Sequence, residues 1–297
     1  MNADNSLDAL RREIDGIDDA IHDLLMRRTE IVDHIRQAKS GGVPLRPGRE
    51  AAVLRRLVAR HRGRFPKTAL VRIWREIFSA IVGLQGPFSL AVYRPDGTDG
   101  YLDLARDQYG SHTPVTGHQS SYRVIDAVSR GQATVGILPL PQSDDAEPWW
   151  PHLVGSGRDR ARIVARLPFA GPSAGPNRDL RALVIGKLDR ESTGRDKTFI
   201  ALDIEAPLEL PPLRRAFSNA GLQATLVDEW AENKIKGPWL HLAEIEGYLT
   251  DDDPRLDALR KAIGEPAQRV VALGGYAQPL GRDELADERG GTARKTS

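Results

Sequence analysis

The sequence predicts a multidomain protein with an N-terminal all-α region, an α/β region and an α+β region. In residues 1–86 the apolar residues recur at helical spacing. Strand and helix patterns alternate in residues 87–194, whereas residues 195–280 follow the order βαββαβ of a ferredoxin-like unit. Residues 281–297 are polar and charged and are predicted to be a disordered tail. The length of 297 residues fits two or three domains of about 100–200 residues each.

The first helix is predicted over residues 7–39 because its apolar residues form one seam. They recur at alternating steps of three and four residues, the spacing of a helix buried along one stripe: Leu7, Leu10, Ile14, Ile17, Ile21, Leu24, Ile31, Ile35 and Ala38. Ser6 is the predicted N-cap, and Gly41–Gly42 the predicted end. At 1.5 Å per residue the rod is about 50 Å long. One small domain cannot cover such a stripe, so we expect a second chain to cover it.

The remaining elements follow from local patterns. Two more helices are predicted over 46–61 and 66–85, and Gly86–Pro87 marks the predicted domain boundary. The α/β region has predicted strands at 88–93, 133–140, 161–167 and 181–187, and predicted helices at 101–110 and 122–131. The third region has predicted strands at 197–204, 222–230, 238–249 and 268–276, and predicted helices at 210–221 and 254–264.

Composition excludes several classes of function. The net charge of +1 gives no reason to expect nucleic acid or an anionic membrane as partner. No stretch approaches the ~18 apolar residues of a membrane span, and the polar N-terminus does not resemble a secretory signal, so a cytoplasmic protein is expected. The absence of cysteine excludes disulfides, thiolate metal sites and a cysteine nucleophile. The histidines at 22, 34, 61 and 241 are isolated, so no metal site is expected.

Arg28 lies on the apolar seam, where an aliphatic residue is expected. Because an unpaired buried charge is costly, Arg28 needs an anionic partner. Three explanations remain open: an ion pair with Glu30 or Asp33 on the same helix, a side chain that extends along its aliphatic stem to water, or a cavity that receives an anion. Lys39 lies on the same helical face, about 16 Å further along the axis. Arg28 and Lys39 together are able to hold a small dianion.

Further polar residues agree with an anionic ligand. Arg11 lies about 100° away from the face of Arg28, so it reaches such a site only in a partner chain. Gln85 is a polar group on an apolar face of the third helix, and the second helix opens with Arg49–Glu50. Residues 1–86 contain 16 Lys and Arg against 11 Asp and Glu, a local charge of +5 that suits a small acidic substrate.

Residues 7–86 resemble the all-helical chorismate mutase family through their spaced polar residues. The resemblance implies a homodimer of long-helix protomers that rearranges chorismate to prephenate without cofactor or metal. Each of its two sites is completed by an arginine of the other chain, and the resemblance assigns that role to Arg11. Arg28 and Arg11 are then expected to bind the two carboxylates of chorismate.

The resemblance assigns the rest of the site as well. Lys39 and Gln85 are expected to point at the ether oxygen, Glu50 to accept a hydrogen bond from the ring hydroxyl, and Arg49 to orient the site. Two positions depart from the family pattern. Pro47 stands where an Asp is frequent, which affects one hydroxyl contact. Ile81 stands where a Ser is frequent, which affects one carboxylate contact.

The middle region resembles a prephenate dehydratase lobe in 104–114 and 124–142. Leu180-Arg181-Ala182 stands where the Thr-Arg-Phe motif of these dehydratases is expected, so the region is interpreted as degenerate. Two local features have alternative interpretations. Residues 111–113 form either a remnant ligand pocket or a solvated turn. Trp149–Trp150 form either a binding platform or a hydrophobic anchor for their loop.

The third region resembles an ACT regulatory domain and ends in 270–279. The turns that bind phenylalanine in such domains are replaced here by residues 206–213 and 227–230, so a structural or dimerising role is expected. The favoured function is a chorismate mutase with degenerate dehydratase-like and ACT-like regions. The alternatives are a bifunctional mutase and dehydratase, an isochorismate pyruvate lyase, and a non-catalytic binder that regulates another shikimate-pathway enzyme.

Overall fold

The computed structural model describes residues 3–38, 43–143, 145, 147–155, 157, 159–172, 179–205, 210–231, 238–265 and 267–287. The helices are α1 (Ala3–Ala38), α2 (Pro47–Arg60), α3 (Lys67–Gln85), α4 (Gly100–Tyr109), α5 (Ser121–Ser129), α6 (Leu210–Asn219), α7 (Pro254–Ile263) and α8 (Arg282–Leu285). The strands are β1 (Leu90–Tyr93), β2 (Val115–His118), β3 (Val135–Pro139), β4 (Arg162–Leu167), β5 (Ala182–Gly186), β6 (Asp196–Ile204), β7 (Ala224–Trp230), β8 (Trp239–Glu246) and β9 (Ala267–Ala277). None of the helices in these ranges has the length and apolar character needed to cross a membrane.

The strands of the described residues form one nine-stranded sheet in the order β2-β1-β3-β5-β4-β9-β6-β8-β7. Strand β1 is parallel to β2 and β3, whereas β5 is antiparallel to both β3 and β4. Strands β9, β6, β8 and β7 are antiparallel neighbours, which is the ferredoxin-like arrangement predicted from the βαββαβ order. The prediction of a helical region followed by α/β and ferredoxin-like regions is confirmed.

The two sheet regions are joined edge to edge, which the sequence did not predict. Strands β4 and β9 run parallel and pair only at Ile163 and Gly274. A Cβ atom at residue 274 would collide with the carbonyl oxygen of Ile163, and the φ angle of Gly274 is +104°. The close approach therefore depends on glycine at this position.

Helix α1 projects from this body and packs against α3. The apolar seam from Leu7 to Ile35 is exposed, with fractions between 48% and 66% for its large residues. The helix begins at Ala3, so Ser6 lies inside it and the predicted N-cap is wrong. Gly41–Gly42, the predicted end, lie outside the described residues.

Helices α2 and α3 pack on the sheet body. Helix α3 contacts α4, and α2 contacts β9 and α8. Their apolar residues share one core with the C-terminal region, made of Ala51, Leu54, Val58, Val71, Phe78, Phe169, Leu280 and Leu285. Arg55 of α2 donates hydrogen bonds to the carbonyl oxygens of Arg195 and Gln278, at 2.9 and 2.6 Å. The domain boundary predicted at residue 86 stays a prediction, but no gap in the packing marks it among the described residues.

The start of the C-terminal tail is ordered. Residues 282–285 form α8, Leu285 is buried, and Glu284 forms an ion pair with Arg195 at 2.7 Å. Lys67 of α3 donates to the carbonyl oxygens of Glu284 and Ala286 at 3.0 Å. The predicted disorder is therefore wrong for 281–287, because tertiary packing orders a polar stretch whose composition predicts disorder. Residues 288–297 lie outside the described ranges.

The paired tryptophans anchor their loop to the ferredoxin-like half of the sheet. Both side chains are fully buried, in one core with Phe199, Leu240 and Leu242. The indole of Trp150 donates to Asp228 at 2.7 Å, and that of Trp149 donates to the carbonyl oxygen of Pro139 at 3.0 Å. The anchor interpretation is confirmed. This face of the ACT-like sheet is consequently covered by the chain itself.

Candidate active site

Arg28 lies where α1 packs against α3. Its guanidinium carbon is 5.6 Å from the centroid of the Phe78 ring, within the range of a cation–π contact. The side chain is half-buried, and its Nη1 atom has no hydrogen-bond partner within the described part of the chain. Burial lowers the pKa of Arg28, and the charge of Glu50 opposes that shift. Arg28 therefore has an unused donor.

Beside Arg28 an open face of α1 is formed by Leu24, Arg27, Arg28, Ile31 and Val32 of that helix alone. Arg28 has no ion pair with Glu30 or Asp33 within the described residues, since Asp33 lies 3.8 Å from Arg36 instead. The explanation by an ion pair on the same helix is therefore wrong. The anionic neighbour of Arg28 is Glu50 on α2, and Nη1 of Arg28 still lacks a hydrogen-bond acceptor among the described residues.

Glu50 lies in the first turn of α2, where a negative charge favours the helix. It is 9% exposed and accepts a hydrogen bond from Nη1 of Arg75 at 2.8 Å. Burial raises the pKa of Glu50, whereas the charge and hydrogen bond of Arg75, and the charge of Arg28, oppose the rise. Two guanidinium groups on different helices thus stabilise one buried carboxylate.

Arg75 is the functional candidate that the sequence reasoning missed. It is 5% exposed and lies on the stripe of α3 that faces the body, with Val71, Phe78 and Val82. The apolar spacing of this helix predicts a buried stripe of Leu70, Ile73, Trp74, Ile77, Ile81 and Leu84. Ile81 is buried, but Ile73 and Leu84 are 45% and 64% exposed. The sequence does contain a signal for Arg75. It is a cation at helical spacing among the apolar residues of α3, just as Arg28 is among those of α1.

The other predicted site residues are not brought together in one chain. Arg11 is exposed and pairs with Asp8 at 3.2 Å. It is 17 residues from Arg28 on a continuous helix, a separation of about 25 Å. Arg49 is exposed. Lys39 lies outside the described residues, so its expected position stays a prediction.

Gln85 is the last residue of α3 and is half-buried. Its Nε2 atom donates to the carbonyl oxygen of Ile81 at 3.2 Å. Ile81, one of the two departures from the family pattern, is buried. Pro47, the other departure, opens α2, a position that proline favours because its missing N–H would have no partner there.

The dehydratase-like region offers a weaker site. Thr113 donates to the carbonyl oxygen of Tyr109 and lies 3.2 Å from the hydroxyl of Ser79, so it contributes to the packing of α3 on α4. Ser111 and His112 are exposed, as a solvated turn requires. Within the described ranges no group of three His, Cys, Asp or Glu side chains is arranged to hold a metal ion.

Comparison with known proteins identifies the N-terminal helices. Residues 10–86 match the family described as "Chorismate mutase type II". A "Bifunctional chorismate mutase/prephenate dehydratase" of Stutzerimonas stutzeri is 27% identical, with 94% of this chain and 100% of that protein covered. The protein of the same description from Neisseria gonorrhoeae is 23% identical, with 90% and 95% covered. The chain is thus similar in sequence to such bifunctional proteins over nearly its whole length.

The first alignment extends over 368 positions, more than the 297 residues of the chain, so it contains long gaps. Among solved structures, the prephenate dehydratase from Streptococcus mutans is 18% identical, covers 65% of this chain and 98% of its own, and has a TM-score of 0.48. A structure described as a "novel type of quorum quenching acylases" is 15% identical, covers 66% and 97%, and has a TM-score of 0.47. Scores below 0.5 identify neither a site nor an activity for this chain.

Proposed function

We propose that this chain, which carries a chorismate mutase domain of type II in residues 10–86, rearranges chorismate to prephenate in aromatic amino acid biosynthesis. The observation that carries the proposal is the half-buried Arg28 guanidinium, whose Nη1 atom lacks a partner among the described residues, on an open face of α1 and close to Glu50. A small dianionic substrate supplies the acceptor that this cation lacks. The cytoplasmic location expected from the sequence stays part of the proposal.

The reaction is an intramolecular rearrangement, so the residues act by binding and by electrostatics. In the proposed site Arg28, with Arg11 of a second chain, binds the two carboxylates and holds the enolpyruvyl arm over the ring. Glu50 accepts a hydrogen bond from the ring hydroxyl, and Arg49 orients the site. Lys39 and Gln85 donate to the ether oxygen, on which negative charge grows as the C–O bond breaks.

The energies are sufficient for this assignment. A million-fold acceleration corresponds to about 8 kcal/mol. Two charge-assisted hydrogen bonds to the ether oxygen contribute roughly 1.5–3 kcal/mol each. Restriction of the substrate to its reactive conformer accounts for the remainder.

A homodimer through the N-terminal helices is part of the proposal. The exposed seam of α1 supports it, because about half of each large apolar side chain from Leu7 to Ile35 is accessible in the single chain. The separation of Arg11 from Arg28 supports it too, since one chain cannot bring both to the same substrate. The partner's α1 supplies both the cover and the second arginine.

The first experiment gives the purified full-length chain chorismate. Loss of chorismate absorbance with formation of prephenate supports the mutase. Isochorismate is supplied in parallel: release of pyruvate from it supports the lyase, and absence of any turnover of either compound leaves the non-catalytic binder. Either of these two outcomes would overturn the proposed function.

Prephenate dehydratase activity is a second candidate, favoured by the names of relatives that align with 90–94% of this chain. The residues of the expected motif argue against it, because Leu180 replaces the threonine and Ala182 the phenylalanine. The same assay distinguishes the two, since a dehydratase forms phenylpyruvate from prephenate without acid treatment.

Replacement of Gln85 by Glu tests the contact with the ether oxygen. Only a protonated Glu can donate there, so Gln85→Glu activity is expected at low pH and is lost as pH rises through the pKa of the new carboxyl group. The measurement is kcat/KM against pH for both enzymes, with Gln85→Leu as the variant that cannot donate at any pH. Full activity of Gln85→Glu at neutral pH would contradict the contact.

A further inference from the structure

Arg75 connects the mutase site to the middle region of the chain. On one side it donates to Glu50 at 2.8 Å. On the other side its guanidinium carbon lies 5.2 Å from the ring centroid of Phe169. Gln108 of α4, with its amide oxygen turned toward Arg75, accepts from both terminal nitrogens at 2.8 and 3.2 Å. Two of these three contacts come from outside the segment that matches the mutase family.

Side chains of α3 and α4 contact each other around Arg75, beside a cavity of about 370 Å³ that Arg75, Gln108 and Phe169 help to line. Arg72 of α3 forms an ion pair with Asp107 of α4 at 2.7 Å, and Ser79 of α3 donates to the carbonyl oxygen of Tyr109. A Cβ atom at Gly110 would collide with Ser79, and the φ angle of Gly110 is +81°. The position of α3, and with it the position of Arg75, is therefore fixed by the middle region.

We propose that the middle region serves the mutase site by holding Arg75 against Glu50, through Phe169 and Gln108, so that the carboxylate keeps its place and its charge. The proposal rests on the proposed function, because it assumes that Glu50 accepts a hydrogen bond from the substrate. Arg75 is a positioning residue in this scheme, since it acts on the substrate only through Glu50. The middle region, whose dehydratase motif is degenerate, thereby acquires a role of its own.

Charged and titratable side chains of three helices surround Glu50. Arg28 on α1 and Arg75 on α3 are the cations that face it, and Tyr109 on α4 is a third titratable group in its surroundings. Burial raises the pKa of Glu50, and the two arginines oppose this. Burial likewise raises the pKa of Tyr109 far above its usual value, so the phenol stays neutral. Without Arg75 less opposes the effect of burial, so the pKa of Glu50 rises further. Glu50 then takes up its proton at a higher pH.

The test is a double-mutant cycle between Arg75 and Glu50, read as kcat/KM against pH. An ionised Glu50 is required, so activity is lost as pH falls through its pKa. Arg75→Met is expected to move this acidic limb upward by about 1–3 pH units. In the Glu50→Gln background, where activity is expected to be greatly reduced, the residual activity should have no acidic limb from residue 50 for the same substitution to move. A loss of activity with an unmoved limb would overturn the proposal, because it would make the role of Arg75 purely structural.

The contribution of the middle region needs its own variant. Phe169→Leu keeps an apolar side chain but removes the aromatic face under the Arg75 guanidinium. It is expected to shift the acidic limb of the pH profile upward, by less than Arg75→Met does. Phe199→Leu is the matched control, because Phe199 is equally buried but packs on Tyr276, in the ferredoxin-like region. A Phe169→Leu enzyme that behaves like Phe199→Leu would overturn the role of the middle region.

A second readout separates this inference from the proposed function. In protein labelled with ¹³C at the glutamate carboxyl, the Glu50 resonance is identified by comparison with Glu50→Gln and titrated directly. The same upward shift by about 1–3 pH units is expected for Arg75→Met, whatever the reaction is. If Arg75→Met fails to fold, Arg75→Lys and Phe169→Leu give the comparison. If the Glu50 titration is the same in the Arg75 variants as in the wild type, the inference is refuted even when the protein is an active mutase. If the Arg75 variants shift the titration but the wild type does not turn over chorismate, only the proposed function is refuted.

Discussion

Replacement of Arg28 by Ala is expected to lower mutase kcat/KM by about 10- to 25,000-fold. The reason is the loss of one or two hydrogen bonds from a charged donor to a substrate carboxylate, at roughly 1.5–3 kcal/mol each. The fold should survive, because Nη1 of Arg28 has no partner among the described residues and the guanidinium lies over the Phe78 ring at the edge of the packing. Steady-state kinetics with chorismate measure the effect, and circular dichroism measures the fold.

Arg12→Ala is the matched control for this substitution, since Arg12 is an exposed arginine on the same helix. It should leave kcat/KM unchanged. Arg28→Lys should recover only part of the loss, because lysine keeps the charge but cannot bind a carboxylate through two parallel hydrogen bonds. An Arg28→Ala protein that unfolds would reassign Arg28 to structural support, and one with wild-type kinetics would remove it from the site.

Mixing two inactive variants is expected to restore activity if the site is shared between chains. Arg11→Ala and Arg28→Ala should each be nearly inactive alone. In a dimer with one chain of each kind, one site carries both substitutions and the other carries neither. After random reassembly half of the dimers are mixed, so the mixture should reach about a quarter of wild-type activity.

Arg28→Ala mixed with Glu50→Gln provides the control, because both residues belong to the same chain's share of the site. That mixture contains no intact site and should stay inactive. Light scattering establishes that each protein is a dimer before mixing. If the proteins exchange chains and neither mixture recovers activity, the partner chain does not donate Arg11 to the site.

Local patterns were sufficient to predict most of the elements. The predicted helices and strands of the ferredoxin-like region lie within a few residues of α6, α7 and β6 to β9, because periodicity and turn residues are properties of short segments. Strand β2 was missed, since Val-Thr-Gly-His is short and contains a glycine that strands disfavour. The joining of the two sheet regions at Ile163 and Gly274 depends on residues more than a hundred positions apart, which no local pattern records.

The candidate site was only partly accessible from the sequence. Arg28 was found because α1 has one apolar stripe, on which a cation is conspicuous. Arg75 was missed because α3 is apolar on more than one side, so its periodicity does not identify the side that faces the body. The order of residues 281–287 was missed for a related reason, since their partners are α2, α3 and Arg195, and composition describes only the segment itself.

The single residue pair between β4 and β9 leaves the junction of the sheet weakly bonded, and α2 lies beside it. Arg55 of α2 binds the main chain at Arg195 and Gln278, next to the ends of β6 and β9. A recombination event that exchanged the catalytic helices for those of a relative would remove these bonds as well. The three segments of the gene are therefore expected to be inherited as one block. Chimaeras that join this chain to a relative at residue 86 are expected to express poorly.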